Sequence, residues 1–204
     1  MIADLRGRDI TDERVLEAMA RVPRERFVLP PERNLAYADR PLSIGYGQTI
    51  SQPAMVAIMC QATGVREGDR VLDVGSGSGY QAAVLAELGG DVHTIERIPE
   101  LVELARKNLR AAGYERVFTH VGDGSLGLPE HAPYDAVVVA AAAPSAPPAL
   151  YDQLAPGGRL VVPVGGPDGQ LLELVVRSPE GPARVSTVPC RFVPLVGAEG
   201  FPAV

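Results

Sequence analysis

Val71-Leu72-Asp73-Val74-Gly75-Ser76-Gly77-Ser78-Gly79-Tyr80 is the stretch on which the reading of this chain turns. Val71 to Val74 is a short apolar run with Asp73 near its end, and it predicts a buried strand. Three glycines then alternate with serines, and Gln81 to Leu88, rich in Ala and Leu, predicts a helix. Strand, glycine turn and helix together let backbone amides approach an adenosine-type ligand at the carboxyl end of a parallel strand. The dinucleotide fingerprint requires G-x-G-x-x-G, but here Tyr80 stands where the third glycine belongs. Asp73-x-Gly75-x-Gly77-x-Gly79 stands in its place. Three alternating glycines give up chain entropy that an ordinary turn keeps, which argues for a ligand rather than a bare turn.

With an acid two residues before the first glycine, this stretch resembles the S-adenosylmethionine (SAM) loop typical of Rossmann-like methyltransferases. The flanking pattern agrees. Strands are expected at Arg70 to Val74, Val92 to Ile95, Val117 to Val121, Ala136 to Ala140 and Arg159 to Val164. Helices are expected between them at Tyr80 to Leu88, Pro99 to Ala112 and Pro147 to Leu154. Such alternation implies an α/β fold with a doubly wound, mostly parallel sheet. Before it, Thr11 is expected to cap a helix that ends near Val22, with Pro23 stopping it. Arg24 to Asp39 is charged and proline-broken, with Phe27, Val28, Leu29 and Tyr37 as expected anchors. After it, Leu171 to Val176 and Arg184 to Val188 predict an antiparallel C-terminal ribbon, with Phe192 to Val196 a further apolar piece. The whole is expected to be one domain. Residues 1–64 form a helical N-terminal appendage and a loop, 65–165 the SAM-binding core, and 166–204 the C-terminal strands.

The chain has 204 residues, enough for a substantial core. Its net charge of −6 disfavours a partner that is bound by tracking phosphates, so no nucleic acid is expected. Its longest apolar run, Ala136 to Ala143, is too short to span a bilayer, and Met1 to Arg6 lacks a signal-peptide core. No membrane partner is expected, and the cytoplasm is the expected location. Cys60 and Cys190 lie too far apart in sequence for a ligand motif, and His93, His120 and His131 are scattered. No metal is therefore expected, and packing or solvent is the expected setting of the histidines.

Glu96 ends the second strand of the core, twenty-one residues past Gly75. Its two carboxylate oxygens suit the vicinal hydroxyls of a ribose. Asp123, between Gly122 and Gly124, falls at the same sheet edge, where its carboxylate or a neighbouring N–H can read an adenine edge. Ser76 and Ser78 lie inside the glycine turn and serve the cofactor or the turn itself. Upstream, Pro41 to Pro53 forms a loop rich in hydrogen-bonding side chains. There Ser51 stands where an N-cap belongs and Pro53 where a first-turn proline belongs, so a cap and a functional role are both open for Ser51. No conventional acid–base apparatus accompanies these residues. Methyl transfer to an already ionised oxygen needs none; it needs an in-line approach and exclusion of water.

Gly45-Tyr46-Gly47-Gln48-Thr49-Ile50-Ser51-Gln52-Pro53 resembles the substrate loop of the protein-L-isoaspartate O-methyltransferases. The resemblance runs nearly the length of the chain. It takes in Val15-Leu16-Glu17-Ala18-Met19, Val22-Pro23-Arg24, Ala36 to Leu42, Ala132 to Ala136, Ala141 to Pro144 and Arg191-Phe192-Val193-Pro194-Leu195. It implies a class I SAM-dependent methyltransferase fold. It also implies direct SN2 transfer of a methyl group from SAM to the α-carboxyl of L-isoaspartyl residues in damaged proteins, leaving S-adenosylhomocysteine. Ser51 matches the active-site serine, with the implied role of orienting the substrate carboxylate. Asp73, Gly75, Gly77, Glu96, Asp123 and Gly124 match cofactor contacts, and Thr49 and Ile50 flank the methyl donor. Ala142, Ala143, Pro144 and Val193 match peptide-holding segments. Implied partners are proteins and peptides containing L-isoaspartyl residues; separately, a compact single domain makes a monomer the default expectation. Many members carry Glu where Asp73 stands and Thr where Ser76 stands, both close chemical swaps. The alternatives are a methyltransferase of the same fold acting on a small molecule or nucleic acid, and a non-catalytic protein that binds an adenosine ligand.

Overall fold

The computed structural model describes residues 1–8 and 10–203, with Ser186 and Thr187 described by backbone only. Helices α1 (Ile2–Arg6) and α2 (Glu13–Arg21) open the chain. Helix α2 begins after Asp12, not Thr11: the Asp12 carboxylate accepts from the Arg14 amide. A carboxylate caps as well as a hydroxyl and also suits the positive end of the helix dipole. The Thr11 amide instead donates to Gln61 Oε1 at 2.8 Å, tying this appendage to the main body. Val15, Leu16, Ala18 and Met19 face inward.

Two short 3₁₀ turns follow, Arg24–Arg26 and Pro30–Leu35. Phe27 and Val28 are buried, but Tyr37 is 46% exposed, so it anchors less than expected. Arg24 is the buried residue that pattern reading missed.

Strands β1 (Leu42–Gly45) and β2 (Gln48–Ile50) pair antiparallel where a loop was expected. Tyr46 and Gly47 both have positive φ, which a two-residue hairpin turn of the primed type requires. Helix α3 (Pro53–Thr63) leads into the main sheet. Its elements are β3 (Arg70–Val74), α4 (Tyr80–Glu87), β4 (Asp91–Glu96), α5 (Pro99–Ala112), β5 (Phe118–Val121) and β6 (Tyr134–Val139). After them come α6 (Pro148–Asp152), β7 (Leu154–Gly166), β8 (Gly169–Ser178) and β9 (Gly181–Cys190).

The strand order is β5-β4-β3-β6-β7-β8-β9. The first five pair in parallel, and β8 and β9 close one edge antiparallel. Alternation along the strands divides the core in two. Val71, Val92, Val138 and Val161 cluster with residues of α3, α4 and α5. Leu72, Ile95, Val137 and Leu160 cluster on the other face with Leu150 of α6. Strand order reverses at β3, between β4 and β6, and the crevice beyond the carboxyl ends at such a reversal is where open α/β sheets bind ligands. Among the described residues, no helix is long and apolar enough to cross a membrane.

Candidate active site

The crevice is occupied by a cleft of about 940 Å³, counting its open mouth. The glycine turn forms one wall. Gly75, Gly77 and Gly79 all have positive φ, which side chains other than glycine's rarely tolerate. The turn is fixed from below: the Gly75 and Ser76 amides both donate to the Ile95 carbonyl. A Cβ at Gly124 would come within 2.6 Å of Val74 Cγ1, so the opposite turn must also stay bare.

Glu96, at the end of β4, lines the cleft and is 9% exposed. Its Oε2 accepts from the Gly77 amide at 3.3 Å and its Oε1 from the Ile98 amide at 3.1 Å. Those two bonds fix the carboxylate while leaving each oxygen a further lone pair. A ribose diol would satisfy both.

Asp73 lies elsewhere. It is fully buried beneath the glycine turn and does not line the cleft. Gln81 Nε2 donates to its Oδ1 at 2.9 Å and Thr94 Oγ1 to its Oδ2 at 2.8 Å, with Ser76 Oγ 2.7 Å from the same Thr94 hydroxyl. Asp73 thus holds the turn rather than reaching into the cleft. Burial pushes its pKa up to about 6 against those hydrogen bonds, and the nearby Glu96 charge adds to the rise. A folded-state pKa above the unfolded one makes ionisation destabilising. The stability that Asp73 contributes is full below its unfolded value of 3.8 and is lost as the pH rises through about 6. The loss amounts to about 3 kcal/mol. Asp73→Asn, which keeps an acceptor for Gln81, is expected to flatten the pH dependence of urea unfolding between about pH 4 and 6.

Asp123 also turns inward. Its Oδ1 accepts from the Ser125 amide and hydroxyl, and its Oδ2 from the Ala198 amide at 2.7 Å. Partial burial opposes ionisation, but these bonds and the Arg97 charge hold its carboxyl below the usual range. Gly124, not the Asp123 carboxylate, lines the cleft.

The other wall carries Thr49, Ile50 and Ser51, delivered by β2 and the link to α3. Ser51 is not the helix cap: Gln52 holds that position, and the amide of Ala54 is satisfied by Asp39 Oδ1 at 2.9 Å. Its hydroxyl enters no hydrogen bond among the described residues, while its carbonyl accepts from Arg24 Nη2 at 2.8 Å. Arg24 is fully buried, also donates from Nε to the Ala36 carbonyl, and lies 4.6 Å from the centre of the Tyr80 ring. One cation therefore links the Ser51 segment to the first residue of α4, beside the glycine turn.

The third wall differs from the segment expected. Ala142 and Ala143 are fully buried, and Pro144 is exposed away from the cleft lining. The Ala142 amide donates to the Val193 carbonyl and its carbonyl accepts from the Leu195 amide. That zipper holds Val193 and Pro194 at the cleft, together with Ala140 and Ala141. Residues 192–196 form no strand, only isolated bridges of Pro194 to Ala142 and of Val196 to Phe201. His93, His120 and His131 are brought together away from the cleft, contrary to the scattering expected of them.

The family model for protein-L-isoaspartate(D-aspartate) O-methyltransferase matches residues 1–200. A protein-L-isoaspartate O-methyltransferase of Aeropyrum pernix is 55% identical over 197 residues, covering 94% of this chain and 76% of the relative. One of Gloeobacter violaceus is 52% identical over 192 residues and 94% of each chain. A solved protein-L-isoaspartate O-methyltransferase superposes with a TM-score of 0.87 at 30% identity, covering 98% of this chain and 66% of that one. A Plasmodium falciparum chain solved in complex with S-adenosyl-L-homocysteine gives 0.82 at 27% identity, covering 96% of each.

Proposed function

Because the chain belongs to the protein-L-isoaspartate(D-aspartate) O-methyltransferase family, we propose that its cleft is the site of protein repair, with the donor on the glycine-turn side and the damaged peptide on the Ser51 side. The enzyme uses S-adenosyl-L-methionine to methylate the α-carboxyl of L-isoaspartyl residues in damaged proteins. The observation that carries the site assignment is the meeting of Ser51 with Gly75, Gly77 and Glu96 around one cleft, although more than twenty residues separate the serine from the turn.

When bound, SAM supplies a sulfonium methyl group that an oxygen nucleophile can accept directly. Gly75, Ser76, Gly77 and Gly124 offer a bare, backbone-lined surface for it, and Glu96 would hold the ribose hydroxyls. Asp73 and Asp123 act one layer back: Asp73 shapes the turn, and Asp123 fixes the 3₁₀ turn after β5. Thr49 and Ile50 line the wall between the two halves. Ser51 presents its hydroxyl to one oxygen of the substrate carboxylate and orients the other for in-line attack. The substrate carboxylate is already ionised at neutral pH, so the chain's task is alignment and exclusion of water rather than proton transfer. Val193 and Pro194 border the peptide, with Ala142 holding that segment through its backbone and Ala143 tying Ala142 to β7 through the Pro163 carbonyl and the Gly165 amide. Pro144 stands further out.

One chain supplies every residue in this assignment, and we take the enzyme to act as a monomer. The cytoplasm suits its two unpaired cysteines, Cys60 and Cys190. Methyl-labelled SAM and an isoaspartyl peptide test the chemistry. The product is expected to release its label in mild base, as an ester does; a base-stable product would make this an N-methyltransferase and overturn the reading.

A further inference from the structure

The chain has three histidines, and all three converge. His93 and His120 lie on adjacent parallel strands, two residues apart in register and so on the same face, since His93 pairs with Phe118 and Ile95 with His120. His131 closes over them from the 3₁₀ turn Pro129–His131. That turn is held in place: the Tyr134 hydroxyl donates to the Leu128 carbonyl at 2.8 Å, and Arg70 Nη1 donates to the His131 carbonyl. One ring nitrogen from each histidine lies within 4.8 Å of the others, and His93 Nδ1 is 3.1 Å from His120 Nε2. Three nitrogens about 2.0–2.1 Å from one tetrahedral ion lie roughly 3.3 Å apart, so the closest pair already has the required spacing.

We propose that His93, His120 and His131 bind one divalent transition-metal ion of the zinc class, with water completing the tetrahedron. Imidazole nitrogens suit zinc(II), cobalt(II) and nickel(II) rather than magnesium or calcium. His93 is buried and the other two are half-buried, so the ion would be partly shielded from solvent. Asp91 and Glu130 add negative charge nearby and Arg70 opposes it. The site is separate from methyl transfer, because His93 and Glu96 point to opposite faces of β4 and no histidine lines the cleft. An ion here would tie β4, β5 and the following turn together, stabilising the folded chain alone.

The 3.1 Å contact is also compatible with a hydrogen bond inside a ring stack, since the three rings lie 4.1–5.3 Å apart by centroid. The full chain, stripped of metal by chelation, should be titrated with zinc(II), and with cobalt(II) as a visible-absorption probe of tetrahedral geometry. One equivalent is expected to bind. A hundredfold excess of metal over its Kd should raise the thermal midpoint by roughly 5–10 °C. His120→Ala and His131→Ala should each weaken binding by more than the ~10–100-fold that loss of an outer-shell partner costs. Cys190→Ser, which removes the half-buried free thiol elsewhere, should leave binding unchanged. His131 sits in a surface turn, so its variant tests the site without disturbing a strand. No saturable binding, or binding that survives the histidine substitutions, would reduce the trio to a hydrogen-bonded stack.

Discussion

Ser51→Ala is expected to lower kcat about 10²-fold while leaving the Kd for SAM within about threefold. The separation follows from what the side chain does and does not touch. Its hydroxyl serves no hydrogen bond among the described residues, and Asp39 already satisfies the Ala54 amide at the start of α3. Removing the oxygen therefore leaves no buried polar group unpaired, and the fold should keep its thermal midpoint. What is lost is a donor for the substrate carboxylate, and misplacing a reacting oxygen by about 1 Å costs on the order of 10²-fold. Ser51→Thr, which keeps the hydroxyl on a bulkier frame, should retain more turnover than the alanine variant. Comparable losses in turnover and SAM affinity, or a lowered midpoint, would make Ser51 a structural residue instead.

Glu96→Ala should produce the opposite pattern. Its carboxylate is held by the Gly77 and Ile98 amides and faces the cleft, so it would accept from both ribose hydroxyls with little reorganisation. Two hydrogen bonds to an ionised acceptor are worth about 3–4 kcal/mol net, or roughly 10²–10³-fold in the Kd for SAM. Glu96→Gln keeps one acceptor and should fall between. Calorimetric titration with SAM measures all three proteins, and an alanine variant that binds within about threefold of wild type would remove the ribose role. Taken with Ser51→Ala, the pair separates the two sides of the cleft: one substitution lowers turnover, the other donor affinity.

Much of the α/β core was legible because its signals are local. Pro99 to Ala112 forms a helix at the residues expected, and Arg70 to Val74 a strand. The hairpin of β1 and β2 was missed although Leu42 and Ile44 alternate with polar neighbours. Its turn needs positive φ at Tyr46, a conformation that tyrosine does not announce. Arg24 looked like one more charge in a polar segment. Its burial depends on the carbonyls of Ala36 and Ser51, which are twelve and twenty-seven residues away.

The site was partly legible for the same reason. Gly75, Gly77 and Glu96 sit at strand ends, where topology alone aims them at the crevice. Asp73 sits one residue before a strand end, and pleating turns it under the loop instead. Asp123 is drawn away by Ser125 and Ala198, the latter seventy-five residues on. The histidines are separated by 27 and 11 residues, and it takes the pairing of β4 with β5 and the folding back of the Pro129–His131 turn to bring them within reach of one another.

The central claim is that one cleft joins SAM to an isoaspartyl carboxylate, and a matched pair of peptides tests it most directly. The two peptides share one sequence and differ only in whether a single residue is L-isoaspartyl or L-aspartyl. With methyl-labelled SAM, the enzyme should transfer base-labile label to the isoaspartyl peptide and leave its aspartyl twin unlabelled. Equal labelling of both, or of neither, would contradict the assignment.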